Sequence, residues 1–108
     1  MKVQIDKRLT EQKLLLDLVN AATAILEEEI GPSSARVAAD WSLEADDRGR
    51  PLVRLSISDF AGRASSSLTP DELRASDGLR RRFYRLWGDL LQEESRRQIK
   101  VLEALEAE

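Results

Sequence analysis

The chain has 108 residues, 42% hydrophobic and 34% charged, with a formal net charge of -3. A chain of this size buries roughly two-thirds of the surface it exposes when unfolded, so residues 1-108 are read as one α+β domain. Cys and His are both absent, which excludes disulfide frameworks, thiolate nucleophiles, imidazole bases and most zinc sites, and a non-enzymatic protein without cofactor or metal is expected.

Met1 to Thr10 carries Lys2, Asp6, Lys7 and Arg8 where an export signal would be apolar, so a soluble cytoplasmic protein is expected, with residues 1-8 and 103-108 frayed. The longest apolar run, Leu14 to Leu16, is far short of the ~20 residues a membrane span needs, and no membrane association is expected. Helical spacing then sets in. Leu14, Leu15, Leu18, Ala22, Ile25 and Leu26 share one side of a helix predicted over Leu9 to Ile30, which Gly31-Pro32 closes. Leu9, Leu16, Val19, Leu26 and Ile30 lie along a second seam of the same helix. The two seams together are wider than one sheet contact needs, so Leu9, Leu16 and Val19 are candidate residues for contact with a second helix or a partner chain.

The period next changes to two. Val37, Ala39, Trp41, Leu43 and Ala45 alternate with polar residues as a half-buried strand, and Val53, Leu55 and Ile57 repeat the pattern after the turn residues Asp46 to Pro51, giving a hairpin. Arg63 to Leu68 is predicted as a third strand with Ala64, Ser66 and Leu68 facing in. Thr69-Pro70-Asp71-Glu72 starts a helix, because it offers a capping hydroxyl, a proline at the first helical position and acids near the positive helix end. Asp77-Gly78 interrupts that helix, and a long final helix follows to about Leu105, with Leu79, Phe83, Leu86, Trp87, Leu90 and Leu91 on its apolar side. At ~1.5 Å per residue it is about 40 Å long and overhangs a three-stranded sheet. The expected fold is a three-stranded antiparallel meander with an N-terminal helix and a long C-terminal helix on one face, in the order α-β-β-β-α-α.

Acid/base material is confined to carboxylates, clustered as Asp40, Glu44, Asp46, Asp47 and Asp59 around the hairpin. Asp59 stands out because it continues the inward phase of Val53, Leu55 and Ile57; it reads as a turn cap in preference to a functional acid. Asp46-Asp47 lacks the spacing of a calcium loop, and Ser65-Ser66-Ser67 has no base to activate it. Between Leu79 and Lys100 seven cations face three acids, a balance of +4. Arg80, Arg81, Arg82, Arg85, Arg96 and Arg97 therefore form a candidate nucleic-acid surface, opposed by the expected burial of Phe83 and Trp87 and by pairing of Arg85 with Asp89 and Glu93 with Arg97. The first 35 residues carry six acids against four bases, and the last eight carry three acids and no base. That complementary distribution suits an antiparallel pair of helices within or between chains.

The order helix, three strands, helix is similar to that of double-stranded-RNA-binding domains and of a small nucleoid-associated family of dimeric bacterial proteins. The likeness is one of topology alone. An RNA-binding domain of that kind implies a lysine-rich start to its last helix, where this chain has Asp71 and Glu72.

The leading expectation is a non-enzymatic protein-protein interaction module, a homo-oligomer (dimer) or a binder of another protein. Its interface combines Leu9, Leu16 and Val19 with Val101, Leu102 and Leu105 on the overhanging last helix. Nucleic-acid association through the arginines is the alternative, and a small-ligand site beneath the sheet is the third reading.

Overall fold

The computed structural model describes residues 1–106, except for the side chains of Glu94, Arg97, Gln98, Val101 and Glu106. The first element is a strand, β1 (Lys2–Ile5). It is followed by the short helix α1 (Lys7–Thr10), α2 (Lys13–Ile30), a 3-10 turn (Gly31–Arg36), β2 (Ala38–Ala45), β3 (Pro51–Ser58), β4 (Arg63–Leu68), α3 (Pro70–Arg74) and α4 (Ser76–Glu106). The sheet runs β1-β2-β3-β4, with β1 parallel to β2 and the other pairs antiparallel.

The α+β class stands, but the three-stranded antiparallel meander is corrected to a four-stranded mixed sheet. The added strand lies in residues expected to fray. Val3 and Ile5 are half-buried against the core while Lys2 and Gln4 face water, and four residues are too few to display a period. The partner, Ala38 to Trp41, is also remote in sequence. A parallel pair requires a crossover connection, which α1 and α2 supply.

Asp6 fixes the exit from β1. Its main-chain N–H donates to the carbonyl of Trp41 at 2.8 Å. Its carboxylate caps α1 by accepting from the N–H of Arg8 at 3.4 Å, and also accepts from Arg8 Nε at 3.2 Å and from the N–H of Leu43 at 3.5 Å. Partial burial alone raises the carboxyl's pKa, but these donors outweigh it and hold the group below the ordinary carboxylate value. The helix predicted over Leu9 to Ile30 is thus two helices, broken at Glu11 and Gln12. The break turns Leu9 into the core, where it is fully buried.

Local chemistry accounts for the remaining boundaries. Asp46 Oδ1 accepts from the N–H groups of Arg48 and Arg50, each at 2.8 Å, and Gly49 takes φ 77°, a left-handed conformation that favours glycine, so the β2–β3 loop closes on itself. Thr69 and Glu72 form a reciprocal capping box that starts α3. The chain breaks at Ala75 and α4 begins at Ser76, so Asp77 and Gly78, expected to interrupt the helix, lie instead within the first turn of α4.

Trp41 lies at the middle of the sheet and is fully buried, among Ala39, Val53, Leu55, Ile57 and Leu68 from the strands, Val19, Ala22 and Leu26 from α2, and Phe83 and Leu90 from α4. Each large apolar side chain enclosed in this way contributes roughly 1.5–3 kcal/mol. The Trp41 Nε1–H has no hydrogen-bond partner among the described residues. The other face of the sheet carries Gln4, Asp40, Arg54, Ser56, Ser65 and Ser67 and is open to solvent.

Candidate functional site

Helix α4 has two parts with different surroundings. Leu79, Phe83, Leu86 and Leu90 are buried against the sheet and α2. The anchorage ends at Glu93, against which the β3–β4 turn packs so closely that a Cβ on Gly62 would come within 2.7 Å of Glu93 Cγ. From Ser95 onward the helix projects from the domain, and the molecule's longest dimension reaches 54 Å. Leu91, Ile99, Leu102 and Leu105 are 42%, 54%, 59% and 64% exposed. The projection begins with its first turn already formed by the anchored half, so it avoids the unfavourable nucleation step of an isolated helix.

Of the interface residues read from the sequence, Leu102 and Leu105 are exposed on this projection, while the Val101 side chain lies outside the described residues. Leu16 is half-buried. Leu9 and Val19 are a correction: both are 0% exposed within their own domain, so neither offers surface to a partner. The cause is the break at Glu11 and Gln12, which makes residues 7–10 a separate helix, α1, that packs on α2 and carries Leu9 into the same core as Val19. The excess width of the apolar surface is real, but its open edge is the opposite one. Leu14 is 78% exposed, Ala21 is exposed, and Leu18 and Ile25 are half-buried. These four residues are spaced by four, three and four, the repeat of a helix seam. Periodicity hides them because Leu14, Leu18 and Ile25 share the helix side that spacing alone marks as core.

That open edge faces α4. Arg80 Nη2 lies 3.0 Å from Glu28 Oε2 and Arg80 Nη1 lies 3.3 Å from Glu29 Oε1, tying the start of α4 to the end of α2, so the two helices run antiparallel. The hydrogen bond from Arg80 to Glu28, then that to Glu29, raises the guanidinium's pKa further. The charge complementarity read from the sequence is therefore partly consumed within the chain. Arg82 is also engaged: it pairs with Glu72 and donates from Nη1 to the carbonyl of Ser67 at 3.0 Å, covering the outer edge of β4.

Four nominated arginines remain. Arg81 and Arg85 are exposed and have no ion-pair partner among the described residues, the expected Arg85–Asp89 pair included. Arg96 is 3.9 Å from Glu93. The Arg97 side chain, and with it the expected pair with Glu93, lies outside the described residues. Phe83 is buried and Trp87 half-buried, as the core-facing stripe implied, whereas Tyr84 is 72% exposed between Arg81 and Arg85. A shallow hollow of about 520 Å³ is lined there by Glu29, Arg80, Arg81, Tyr84 and Arg85.

Two of the carboxylates around the hairpin, Asp46 and Asp59, serve the backbone, and Glu44 lies 3.6 Å from Arg54. Asp59 Oδ1 accepts from the N–H groups of Ala61 at 2.8 Å and Gly62 at 3.0 Å, as a turn cap does. Among the described residues no three acids converge as a metal ion requires. A depression of about 210 Å³ on the open sheet face mixes Lys2 and Arg63 with Asp40, Ser56 and Ser58, so no single sign of charge dominates it. Among the described residues no helix is long and apolar enough to cross a membrane. Compared with known proteins, the chain matches no family model, no curated protein and no solved structure.

Proposed function

We propose that this chain is a non-enzymatic interaction module that associates with a second copy of itself through the projecting end of α4. The observation that carries the reading is the row Ile99, Leu102 and Leu105, held out beyond the support of its own domain and continuing from the partly exposed Leu91 at the edge of the anchored half. Covering an aliphatic side chain of this size contributes roughly 1.5–3 kcal/mol, while association costs about 4–15 kcal/mol in lost freedom of motion. A two-fold contact uses the row twice, and an unrelated partner uses it once. Symmetric dimers are also the commonest closed assembly.

Sedimentation velocity over a dilution series in the micromolar range tests the proposal. A monomer–dimer equilibrium is expected, shifted to monomer by Leu102→Glu with unchanged helical content. A monomer throughout the series, or a dimer indifferent to Leu102→Glu, sinks the reading.

Nucleic-acid association is the second reading, favoured by Arg81, Arg85 and the exposed Tyr84. Six cations would give a log–log salt slope near -5 on duplex DNA, and the two without an ion-pair partner among the described residues, Arg81 and Arg85, would contribute roughly -2 of it. Titration with random duplex DNA at low salt decides this reading, and absence of a signal ends it.

A further inference from the structure

Resting on the self-association reading, we infer that two copies pair their α4 helices antiparallel, so that the projection of each lies along the anchored half of the other and its end fills the hollow beside Tyr84. At 100° per residue, Tyr84, Gly88, Leu91, Ser95, Ile99 and Leu102 fall within a sector of about 80°. This seam runs unbroken from the anchored half into the projection. Gly88 and Ser95 are small, which allows close approach of a second helix, and a Cβ added at Gly88 would meet nothing within 4 Å.

Charge fixes the direction. Arg85 and Glu103 are both exposed, and their spacing of eighteen residues places them at the same angle around the helix, on one flank of the seam. Antiparallel pairing brings a flank against the same flank of the partner, so Arg85 of each copy meets Glu103 of the other. Parallel pairing would bring opposite flanks together and leave Arg85 far along the axis from Glu103, so the complementary pair forms only in the antiparallel arrangement. With Arg85 opposite Glu103 the two-fold axis passes next to Ser95, and residues 95–105 of one helix cover residues 83–93 of the other. Leu102 and Leu105 then reach the hollow formed by Arg80, Arg81, Tyr84 and Arg85. The projection alone spans only about 16 Å, too little for an independent helical pair. Its use of the anchored half supplies the missing length.

The native chain has no cysteine, so a single introduced thiol reports this geometry. Ser95→Cys is expected to give a covalent dimer with a short bis-maleimide, and Ser67→Cys on the open sheet face is expected to give none. Arg85→Glu and Glu103→Arg should each weaken the dimer about tenfold, and the double variant should restore most of the loss. If the wild type sediments as a dimer but Ser95→Cys fails to link, or the double variant shows no rescue, the antiparallel register is overturned while self-association stands. If the wild type is monomeric, both fall, and the seam belongs to a different partner.

Discussion

The two halves of α4 share one amphipathic pattern and differ in what lies beneath it. Leu79, Phe83, Leu86 and Leu90 rest on β4 and α2 and are 0 to 3% exposed, whereas Ile99, Leu102 and Leu105 lie beyond the anchorage and are 54 to 64% exposed. Burial of the first row holds the fold together, and the second row is carried as a continuation of an existing helix. An apolar stripe in a sequence is therefore evidence of a contact, but not of which molecule supplies the other side.

The widest separation between the halves is expected from truncation. Phe83→Ala should cost about 3–5 kcal/mol in urea unfolding, because a large cavity opens beside Trp41, while Leu102→Ala at a concentration where the chain is monomeric should change stability by less than about 0.5 kcal/mol. Comparable losses from the two would abolish the distinction. A second contrast concerns the flanks of α2. Leu9→Ala should cost about 2–5 kcal/mol and Leu14→Ala almost nothing, and the reverse order would show that the flank covered by α1 has been misassigned.

The smallest expected effect lies at Asp6, whose folded carboxyl titrates below its unfolded value. Such a group stabilises the fold above the unfolded pKa, near 4, and that contribution is lost as pH falls through the lower, folded value. Asp6→Asn should therefore be less stable than wild type at pH 7, and the difference should shrink below about pH 4. Unfolding midpoints measured across pH 2–7 would reveal it, and a difference independent of pH would contradict the assignment.

Much of this architecture was legible from residue pattern. The alternation around Trp41, the strand Arg63–Leu68 and the Thr69 helix start all appear at or within a residue of where periodicity and capping chemistry put them. Their signals are local. The strand β1 was not legible, since its identity rests on a register with Ala38 to Trp41 and not on its own four residues. The same holds at the site: a helical wheel reports how wide the apolar surface of α2 is, but not from which side neighbours arrive. Spacing alone therefore points Leu9 and Val19 to an interface and Leu14 to the core, the reverse of the structure. The overhang of α4 was readable because helix length and sheet size follow from residue counts.

The register of β1 also carries a consequence for the order of assembly. Between β2 and β3 only residues 46–50 intervene, whereas β1 reaches β2 across residues 6–37. Closing the longer connection costs roughly 1.6 kcal/mol more in chain entropy if both are treated as flexible loops. Hairpin nucleation is thus favoured kinetically, and the parallel edge docks once the crossover helices have condensed onto it. The strand that comes first in the chain is the last to zip.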